Sequence, residues 1–472
     1  MNRPESHKHY VTKAEDKIPF KQKVFYGSGS FAEMSFQWLI INLAMPIFNA
    51  ELGVDPILIG IVIGISRIWD SITDPVMGSI SDNARTPFGR RRPFIASGAI
   101  LAGLMFCGIW LFPREMSETG YFWYFLVATL IYYTCFTIFS VPFYAFGYEI
   151  SPDYHERTRM MAVRIFSNSF NGVIFAPWVY WMIQRQFWDD TIQGIRFVGI
   201  GVGLLMLILA LVPALMIKER VKTYVQKQKK VSVLKSVKST LRCKPFLILV
   251  IAFLLTIFGN TLVSTLTFYP TVYYVFDGDK DLASIWYGFA DATHHIATLI
   301  MIIPISMMSR RFGKRSACIF FTSFIVIGSI LQIFSFNPDA PWMLIVPRAF
   351  LGVGWAGFWV LIPAMIADVV DYDEWNTGTR REGMFGAVHF WVVKLGFALG
   401  FFATGYVVNM TGFQIELGVD QPAHTFKTMI LLKGLVPAIS ALISALILLR
   451  FAITEDKAYQ IRADLEDRRG KV

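Results

Sequence analysis

The sequence predicts an all-α membrane protein whose twelve transmembrane helices form two bundles of six. First, 54% of the 472 residues are hydrophobic and the mean hydropathy is +0.49, above the composition of soluble domains. Second, apolar stretches of about 20 residues, the length that crosses a bilayer, recur twelve times along the chain. Third, a long polar connection follows the sixth stretch and divides the chain into two halves.

The twelve predicted spans start after a polar N-terminal stretch. Their limits are 25–49, 57–80, 93–112, 121–147, 162–183, 195–217, 245–274, 284–308, 315–335, 341–367, 384–410 and 426–453. The predicted organisation is an N-terminal tail at 1–24, a six-helix bundle at 25–217, a middle loop at 218–244, a second bundle at 245–453 and a C-terminal tail at 454–472.

The distribution of charge predicts how the chain crosses the membrane. Connections after even-numbered spans are basic, as at 90–92 and 218–244, whereas Glu51 and Asp55 follow the first span. By the positive-inside rule, both termini are cytoplasmic. We therefore expect an integral protein of the plasma membrane, specifically a bacterial inner membrane. The net charge of +10 reflects this topology and does not indicate nucleic acid binding.

Two other sequence features limit what the chain does. The N-terminal tail lacks a short apolar core followed by small residues, so we interpret it as a cytoplasmic tail and not a signal peptide. The four cysteines are scattered without CxxC spacing, and they predict neither a metal site nor a disulfide framework.

Weak internal repetition supports the division into two halves. GRR at 89–91, after span two, has a counterpart in GKR at 313–315, after span eight. DYHERTR at 153–159 has a looser counterpart in DYDEWNTGTRREG at 371–383. Two parallel six-helix repeats produce this pattern; chance similarity between basic loops is the alternative.

The second span carries charges where a membrane helix usually has none. Arg67, Asp70 and Asp74 are spaced i, i+3 and i+7, so a helix places them on one face. An ionisable group at membrane depth costs about 2.5–3.5 kcal/mol on insertion scales, and two carboxylates on one face therefore require a cation, a proton or a basic partner. A structural ion pair between Arg67 and Asp70 is the alternative, but it leaves Asp74 without a partner. We favour a cation site.

The basic loop after this helix is a candidate cytoplasmic gate. Its predicted residues are Asp82, Arg85, Arg90 and Arg91. A tight basic loop is expected where a helix leaves the membrane on the cytoplasmic side.

Further charged groups lie inside apolar spans and are candidates for substrate binding. If they face one cavity, the three acidic groups of spans one and two are formally balanced by three basic ones, which explains why so many charges are tolerated. For Arg164, near a helix end, snorkelling to the interface is the alternative. The predicted substrate-binding residues are Glu33, Arg67, Tyr144, Arg164, Trp359, His389 and Lys394.

Two aromatic residues belong to this set because they occupy corresponding places in the two halves. Tyr144 and Trp359 have small or polar neighbours, and a sugar ring stacks its apolar face on such rings while its hydroxyls bond to polar groups. Lipid-facing packing is the default for the other aromatics. The pair His294 and His295 is left out of the site, since a hydrogen-bonded structural role is favoured over a proton relay.

Four motifs of the sequence are distinctive: RIWDSITDPVMGSISDNARTPFGRRRPF at 67–94, YGSGSF at 26–31, TIFSVPF at 137–143 and ADVVDYDEWNTGTRREG at 367–383. They resemble motifs of the glycoside–pentoside–hexuronide cation symporters, the melibiose-permease branch of the major facilitator superfamily. The resemblance implies the major facilitator fold. It also implies that Asp70, Asp74 and Thr137 bind the coupling cation, as metal ligands if the ion is sodium, and that Arg164 and Lys394 are the family's basic residues of helices five and eleven.

Two positions depart from that family. Its sugar-binding aspartate on helix one corresponds to Met34, with Glu33 one position earlier and about 100° away around the helix. Its partner on helix four corresponds to Ser140. These departures argue against melibiose as the substrate, and with Arg164 and Lys394 present they make an anionic sugar, such as a uronide or sulfosugar, an alternative.

The predicted function is cation-coupled symport of a sugar, glycoside or anionic sugar by alternating access. The coupling ion is sodium or a proton; sodium has a slight advantage because the Thr137 hydroxyl oxygen is useful to a metal ion. We expect no other cofactor, and as partners a small-molecule substrate, the cation and membrane lipid. An enzyme is not expected, since no HExxH motif or nucleophile–base pair stands out. The alternatives are a cation-coupled lysophospholipid transporter and a sensor that binds a sugar without moving it.

Overall fold

The structure is a computed structural model that describes residues 17–150, 154–184, 186–217, 240–378 and 381–469. Within these residues the regular structure is helical and contains no strand. The N-terminal residues 1–16, most of the predicted middle loop, at 218–239, and Arg380 lie outside the described residues. The predicted domain limits stay a prediction.

Twelve long helices follow one another within the described part of the chain. They are α1 (Phe20–Ala44), α2 (Pro56–Asn83), α3 (Arg92–Ile109), α4 (Glu118–Glu149), α5 (Tyr154–Ile174), α6 (Thr191–Met216), α7 (Lys244–Leu262), α8 (Lys280–Phe312), α9 (Lys314–Ser335), α10 (Ile345–Thr377), α11 (Glu382–Met410) and α12 (Ala423–Leu448). We call α1–α6 the first half and α7–α12 the second half. Short 3-10 and π-helical turns at 264–275 connect α7 to α8.

Eleven of these twelve helices are long and apolar enough to cross a membrane. The exception is α5, which carries polar and charged residues along its length. Span five was predicted at 162–183; the helix begins at Tyr154 and ends at Ile174, and a 3-10 turn containing Pro177 follows. The polar face of α5 packs against α1, where Asn171 donates hydrogen bonds to the Ser35 hydroxyl and the Phe31 carbonyl.

A further helix, α13 (Glu455–Arg469), lies in the predicted C-terminal tail. It packs against the end of α10: the Trp375 indole donates a hydrogen bond of 3.0 Å to Asp464. Ile461 and Leu465 are buried. The end of α10 is also held by its own salt bridges, from Asp373 to Arg381 at 2.6 Å and from Asp368 to Lys314 at 2.6 Å.

The two halves meet at the side opposite the start of α1 and the end of α12, which we call the distal side. Here Lys280 lies 2.5 Å from Glu51. The Tyr269 hydroxyl donates to Asn49 at 2.7 Å, and Asn409 donates to Asp55 at 3.0 Å. This salt bridge and these two hydrogen bonds hold the two halves together at the distal side.

Glycines allow α2 and α11 to approach closely on that side. A Cβ atom at Gly405 would lie 2.2 Å from the Pro56 carbonyl oxygen, and one at Gly60 would lie 2.9 Å from the Phe401 carbonyl oxygen. Backbone atoms cannot move aside as the end of a flexible side chain can. The closed arrangement therefore requires glycine at the crossing.

Replacing Gly405 by alanine is expected to destabilise this arrangement by about 1–3 kcal/mol, the usual penalty of overpacking. The measurement is the melting temperature of the purified protein in detergent, which should fall. Gly386→Ala is the matched control, because it lies on the same helix and its Cβ would meet no atom within 4 Å. Equal melting temperatures for the two variants would contradict the packing argument.

Candidate functional site

The charged face of α2 points into the protein. Asp55 caps this helix by accepting a 2.7 Å hydrogen bond from the Ile57 amide, and Pro56 occupies its first turn. Asp70, fifteen residues further on, is only 3% exposed, and Asp74 is partly buried. The predicted helical spacing therefore places both carboxylates away from lipid, on one side of α2.

Lys394 of α11 lies between these two carboxylates. Its ammonium nitrogen is 2.9 Å from an Asp70 oxygen and also contacts Asp74. Asp70 and Lys394 are 324 residues apart in the chain and belong to different halves. The ion pairs thus join the first half to the second at the middle of α2.

Hydroxyl oxygens complete the group. The Thr137 oxygen of α4 lies 3.2 Å from Asp70, 3.2 Å from Asp74 and 3.1 Å from the Thr73 oxygen. Because one hydroxyl carries a single proton, it cannot donate to all three neighbours at once. The result is a cluster of oxygen ligands of the kind that hard cations prefer.

Thr73 was not among the predicted site residues. It directly precedes Asp74 and follows Asp70 by three positions, and this helical spacing was a signal that could have identified it. Within the described residues, no group of three or more His, Cys, Asp or Glu could hold a metal ion. The oxygen cluster has two carboxylates and two hydroxyls.

Arg67 is held mainly by α1 and α4. It donates a 2.8 Å hydrogen bond to the Gln37 carbonyl, and its guanidinium lies over the rings of Trp38 and Tyr133, at 5.4 and 5.0 Å. Its distance to Asp70 is 3.7 Å, too long for a hydrogen bond. The alternative of a structural Arg67–Asp70 pair is therefore weaker than the Lys394–Asp70 pair that the structure contains.

A second group of charges lies between α1, α4 and α5. Arg164 makes a two-pronged contact with Glu33, with nitrogen–oxygen distances of 2.8, 3.1 and 3.2 Å. The Arg164 guanidinium lies 3.8 Å from the centre of the Tyr144 ring. The structure therefore places Arg164 in the interior, as one member of a neutral ion pair stacked on an aromatic ring.

The other two candidate substrate residues form a separate group in the second half. The rings of His389 and Trp359 lie 4.9 and 5.0 Å from the ring of Phe253 on α7. Phe253 was not predicted, since nothing in the sequence distinguishes it among 42 phenylalanines. Across the halves, Tyr144 meets Phe390 of α11 edge to face at 6.5 Å.

The structure brings two of the four predicted gate residues together. Arg91 lies 2.5 Å from Asp82 and donates a 2.8 Å hydrogen bond to Ser81. Arg85 is exposed and Arg90 is partly buried. The contact between Asp82 and Arg91 lies within the first half, and the gating role of these residues stays a prediction.

Two six-helix halves that are joined by ion pairs near the middle of α2 match the architecture of secondary membrane transporters. The chain belongs to the MFS/sugar transport protein family, whose sequence model matches residues 25–455. This finding confirms the family resemblance, and family members and structural neighbours are transporters, which are not enzymes.

Named relatives agree with this assignment. The chain is 23% identical to the isoprimeverose transporter of Lactiplantibacillus pentosus, over 96% of this chain and 92% of the relative. It is 25% identical to the uncharacterized symporter YnaJ of Bacillus subtilis, over 96% of each. The solved structure of a D-xylose–proton symporter has a TM-score of 0.62, with 15% identity over 90% of this chain and 97% of that one. This likeness confirms the fold class.

Proposed function

We propose that the protein is a symporter that uses the downhill entry of sodium to accumulate a neutral sugar or glycoside across a bacterial inner membrane. One observation carries the proposal: Lys394 of the second half bridges Asp70 and Asp74 of the first half. A cation that binds these carboxylates has to compete with the lysine. Cation binding and the connection between the halves are therefore linked.

This competition gives a physical route to coupling. A sodium ion bound by the two carboxylates offsets one of their two negative charges and occupies the oxygens that hold Lys394, so the ammonium is displaced and the link between the halves is broken. The freed lysine is then a hydrogen-bond donor for a substrate hydroxyl. By linkage, a substrate that binds the freed lysine strengthens sodium binding by the same factor. Each ligand thus promotes the binding of the other.

The oxygen cluster favours sodium over a proton. A proton needs one carboxylate, whereas a sodium ion uses several oxygens, and Thr137 and Thr73 add hydroxyls to the two carboxylates. A proton is the competing coupling ion, and the experiment below separates the two.

The pairing of Arg164 with Glu33 favours a neutral substrate. A guanidinium that binds an anionic sugar is expected to be free of a carboxylate partner in the protein. A guanidinium–carboxylate pair instead offers both hydrogen-bond donors and acceptors to sugar hydroxyls. The Tyr144 ring beside the pair supplies a surface on which a sugar ring stacks. The relatives do not decide between the two classes, since one is named an isoprimeverose transporter and another a putative sulfoquinovose importer; the choice rests on the Arg164–Glu33 pair.

The test is uptake by the purified protein in proteoliposomes. We expect accumulation of a radiolabelled sugar above equilibrium when sodium is high outside, and none when a pH gradient alone is imposed. Accumulation driven by the pH gradient would show that the coupling ion is a proton. Inhibition of uptake by uronides or sulfosugars alone would show that the substrate is anionic. Competition by lysophospholipid but not by sugars would select the lipid transporter, and ligand binding without counterflow would select the sensor.

Thr137 provides a further prediction. Thr137→Val keeps the shape of the side chain but removes the hydroxyl, and a bond to a charged group is worth about 1.5–3 kcal/mol. The sodium concentration for half-maximal uptake should therefore rise by roughly tenfold or more. Thr137→Ser, which keeps the oxygen, is the matched control and should resemble the wild type. An unchanged sodium dependence in Thr137→Val would remove this residue from the cation site.

A further inference from the structure

Two short segments at corresponding places in the two halves lie on the distal side. Met45–Asn49 follows α1 and Pro270–Val275 follows α7, and each is a π-helical turn with a proline in its first turn. Pro46 and Pro270 have the same separation along the chain as the GRR and GKR motifs. The two segments are therefore equivalent parts of the internal repeat.

The match continues to the start of the next helix in each half. Asp55 caps α2 and Asp279 caps α8, by accepting hydrogen bonds of 2.7 and 2.9 Å from backbone amides, and these two aspartates again have the separation of the prolines. Between the π-helical turn and the cap, the chain turns at a glycine with positive φ, 71° at Gly53 and 82° at Gly278. We call these two units the distal turns; they comprise residues 45–56 and 269–280.

The two distal turns contact each other through equivalent residues. Met45 and Tyr269, which also have the separation of the prolines, approach within 3.8 Å through the methionine sulfur and the tyrosine hydroxyl. The same hydroxyl donates a 2.7 Å hydrogen bond to Asn49, and all three residues are buried. Equivalent residues of a two-fold repeat meet only near the axis that relates the halves. In a transporter built from parallel repeats this axis runs along the membrane normal between the halves, so the contact lies across the distal end of the path between them.

A salt bridge at the edge of the distal turns also joins the halves. Lys280 is the first residue of α8, and its ammonium lies 2.5 Å from Glu51 and 3.2 Å from the Ala50 carbonyl oxygen of the first half. The side chains of Lys280 and Glu51 are only 24% and 11% exposed, so their attraction is screened less than that of a surface pair. Loss of either partner would leave the other charge largely buried and unpaired in this closed arrangement.

We propose that the two distal turns form an outer gate, with the Glu51–Lys280 salt bridge as its latch. The inference rests on the proposed function and on the predicted topology, in which the distal side faces out of the cell. For substrate to enter from outside, the Tyr269 contact at the axis and the salt bridge have to separate, and the π-helical turns are where α1 and α7 bend. Sodium at the cation site displaces Lys394 but leaves this latch in place. The strength of the latch therefore sets the fraction of the protein that faces outward.

The test measures the distance between the distal ends of the two halves by double electron–electron resonance on the purified protein in detergent. Spin labels are attached to Glu115→Cys in the first half and Asp339→Cys in the second, both exposed on the distal side, after the native cysteines are replaced by alanine. We expect one short distance in this labelled protein. In Lys280→Met a longer distance should appear, and the ratio of the open to the closed population should rise by roughly tenfold or more, the value of a hydrogen bond between charged groups.

Charge reversal separates the latch from a general loss of packing. Glu51→Lys alone should favour the open population, since two positive charges then face each other, whereas Glu51→Lys combined with Lys280→Glu should restore the short distance. Lys427→Met is the matched control, because Lys427 is exposed near the distal end of α12, and it should leave the distance unchanged. Equal distances in the labelled protein, Lys280→Met and Glu51→Lys would overturn the proposed latch.

Tyr269→Phe provides a second test that does not depend on the charged variants. It keeps the ring but removes the hydroxyl that bonds to Asn49, and a neutral hydrogen bond contributes a factor of about two to ten to an equilibrium. The open population should rise by that factor, and an unchanged distance distribution would overturn the gate at the axis. The measurement needs neither sodium nor sugar, so the outer gate and the proposed symport can fail independently.

Discussion

Asp70→Asn is expected to abolish sodium-driven accumulation of sugar while leaving a folded protein. The substitution keeps the shape of a side chain that is 3% exposed and removes one of the two charges that attract the cation. A unit charge at 4 Å contributes about 4 kcal/mol at an effective dielectric constant of 20. The sodium affinity should therefore fall by roughly three orders of magnitude, and uptake should stop at the equilibrium level.

The fold is expected to survive this change because Lys394 keeps its second partner, Asp74. Asp339→Asn is the matched control, since it makes the same chemical change at an exposed position and should leave uptake unaltered. Elution of the Asp70→Asn protein as a single peak in gel filtration separates loss of coupling from misfolding. Uphill uptake at the wild-type level in Asp70→Asn would remove the basis of the proposed mechanism.

The local features of this site could be predicted from the sequence because they depend on helix geometry alone. Asp70 and Asp74 are four positions apart, so any helix that contains them aligns them on one face. The apolar length around them predicts a membrane helix. Together these facts indicated a charged, inward-facing stretch before any tertiary contact was known.

The partners of these carboxylates could not be predicted from spacing. The sequence identified a balanced set of buried charges but not its pairing, because Asp70 and Lys394 are 324 residues apart and meet only when the halves associate. Arg67 was the nearer candidate along the chain, yet the Gln37 carbonyl and two aromatic rings hold its guanidinium 3.7 Å from Asp70. Tertiary packing, not sequence distance, decides which cation pairs with the acid.

The extent of α5 illustrates a second limit. The prediction relied on apolar length and therefore placed span five at 162–183, beyond the polar first turns of the helix. Those polar residues are tolerated because α1 supplies partners for them, as Lys23 does for the buried Glu156 at 2.9 Å. A helix whose polar face is satisfied by its neighbours does not need the hydropathy of a lipid-exposed helix, so hydropathy alone places its limits too far along the chain.

Lys394→Met gives the prediction that best separates a coupling role from a structural one. If the ammonium competes with sodium, its removal leaves Asp70 and Asp74 without their basic partner, and sodium affinity should rise by about tenfold or more. Uphill sugar uptake should nevertheless fall to background, because no lysine remains to pass from the carboxylates to the substrate. Sodium-dependent stabilisation of the purified protein measures the first effect, and proteoliposome uptake measures the second.

A rise in sodium affinity together with a loss of sugar uptake distinguishes this mechanism from a purely structural ion pair. A purely structural ion pair would lower stability when broken, because a buried charge loses its partner, but it would give no reason for sodium to bind more tightly. The double variant Asp74→Asn with Lys394→Met removes one negative charge together with the positive charge of the lysine. It should therefore recover stability relative to Lys394→Met alone. Lys427→Met, exposed on α12, controls for loss of a lysine. Weaker or unchanged sodium binding in Lys394→Met would show that the lysine does not compete with the ion, and the coupling scheme would then be wrong even if the protein transports sugar.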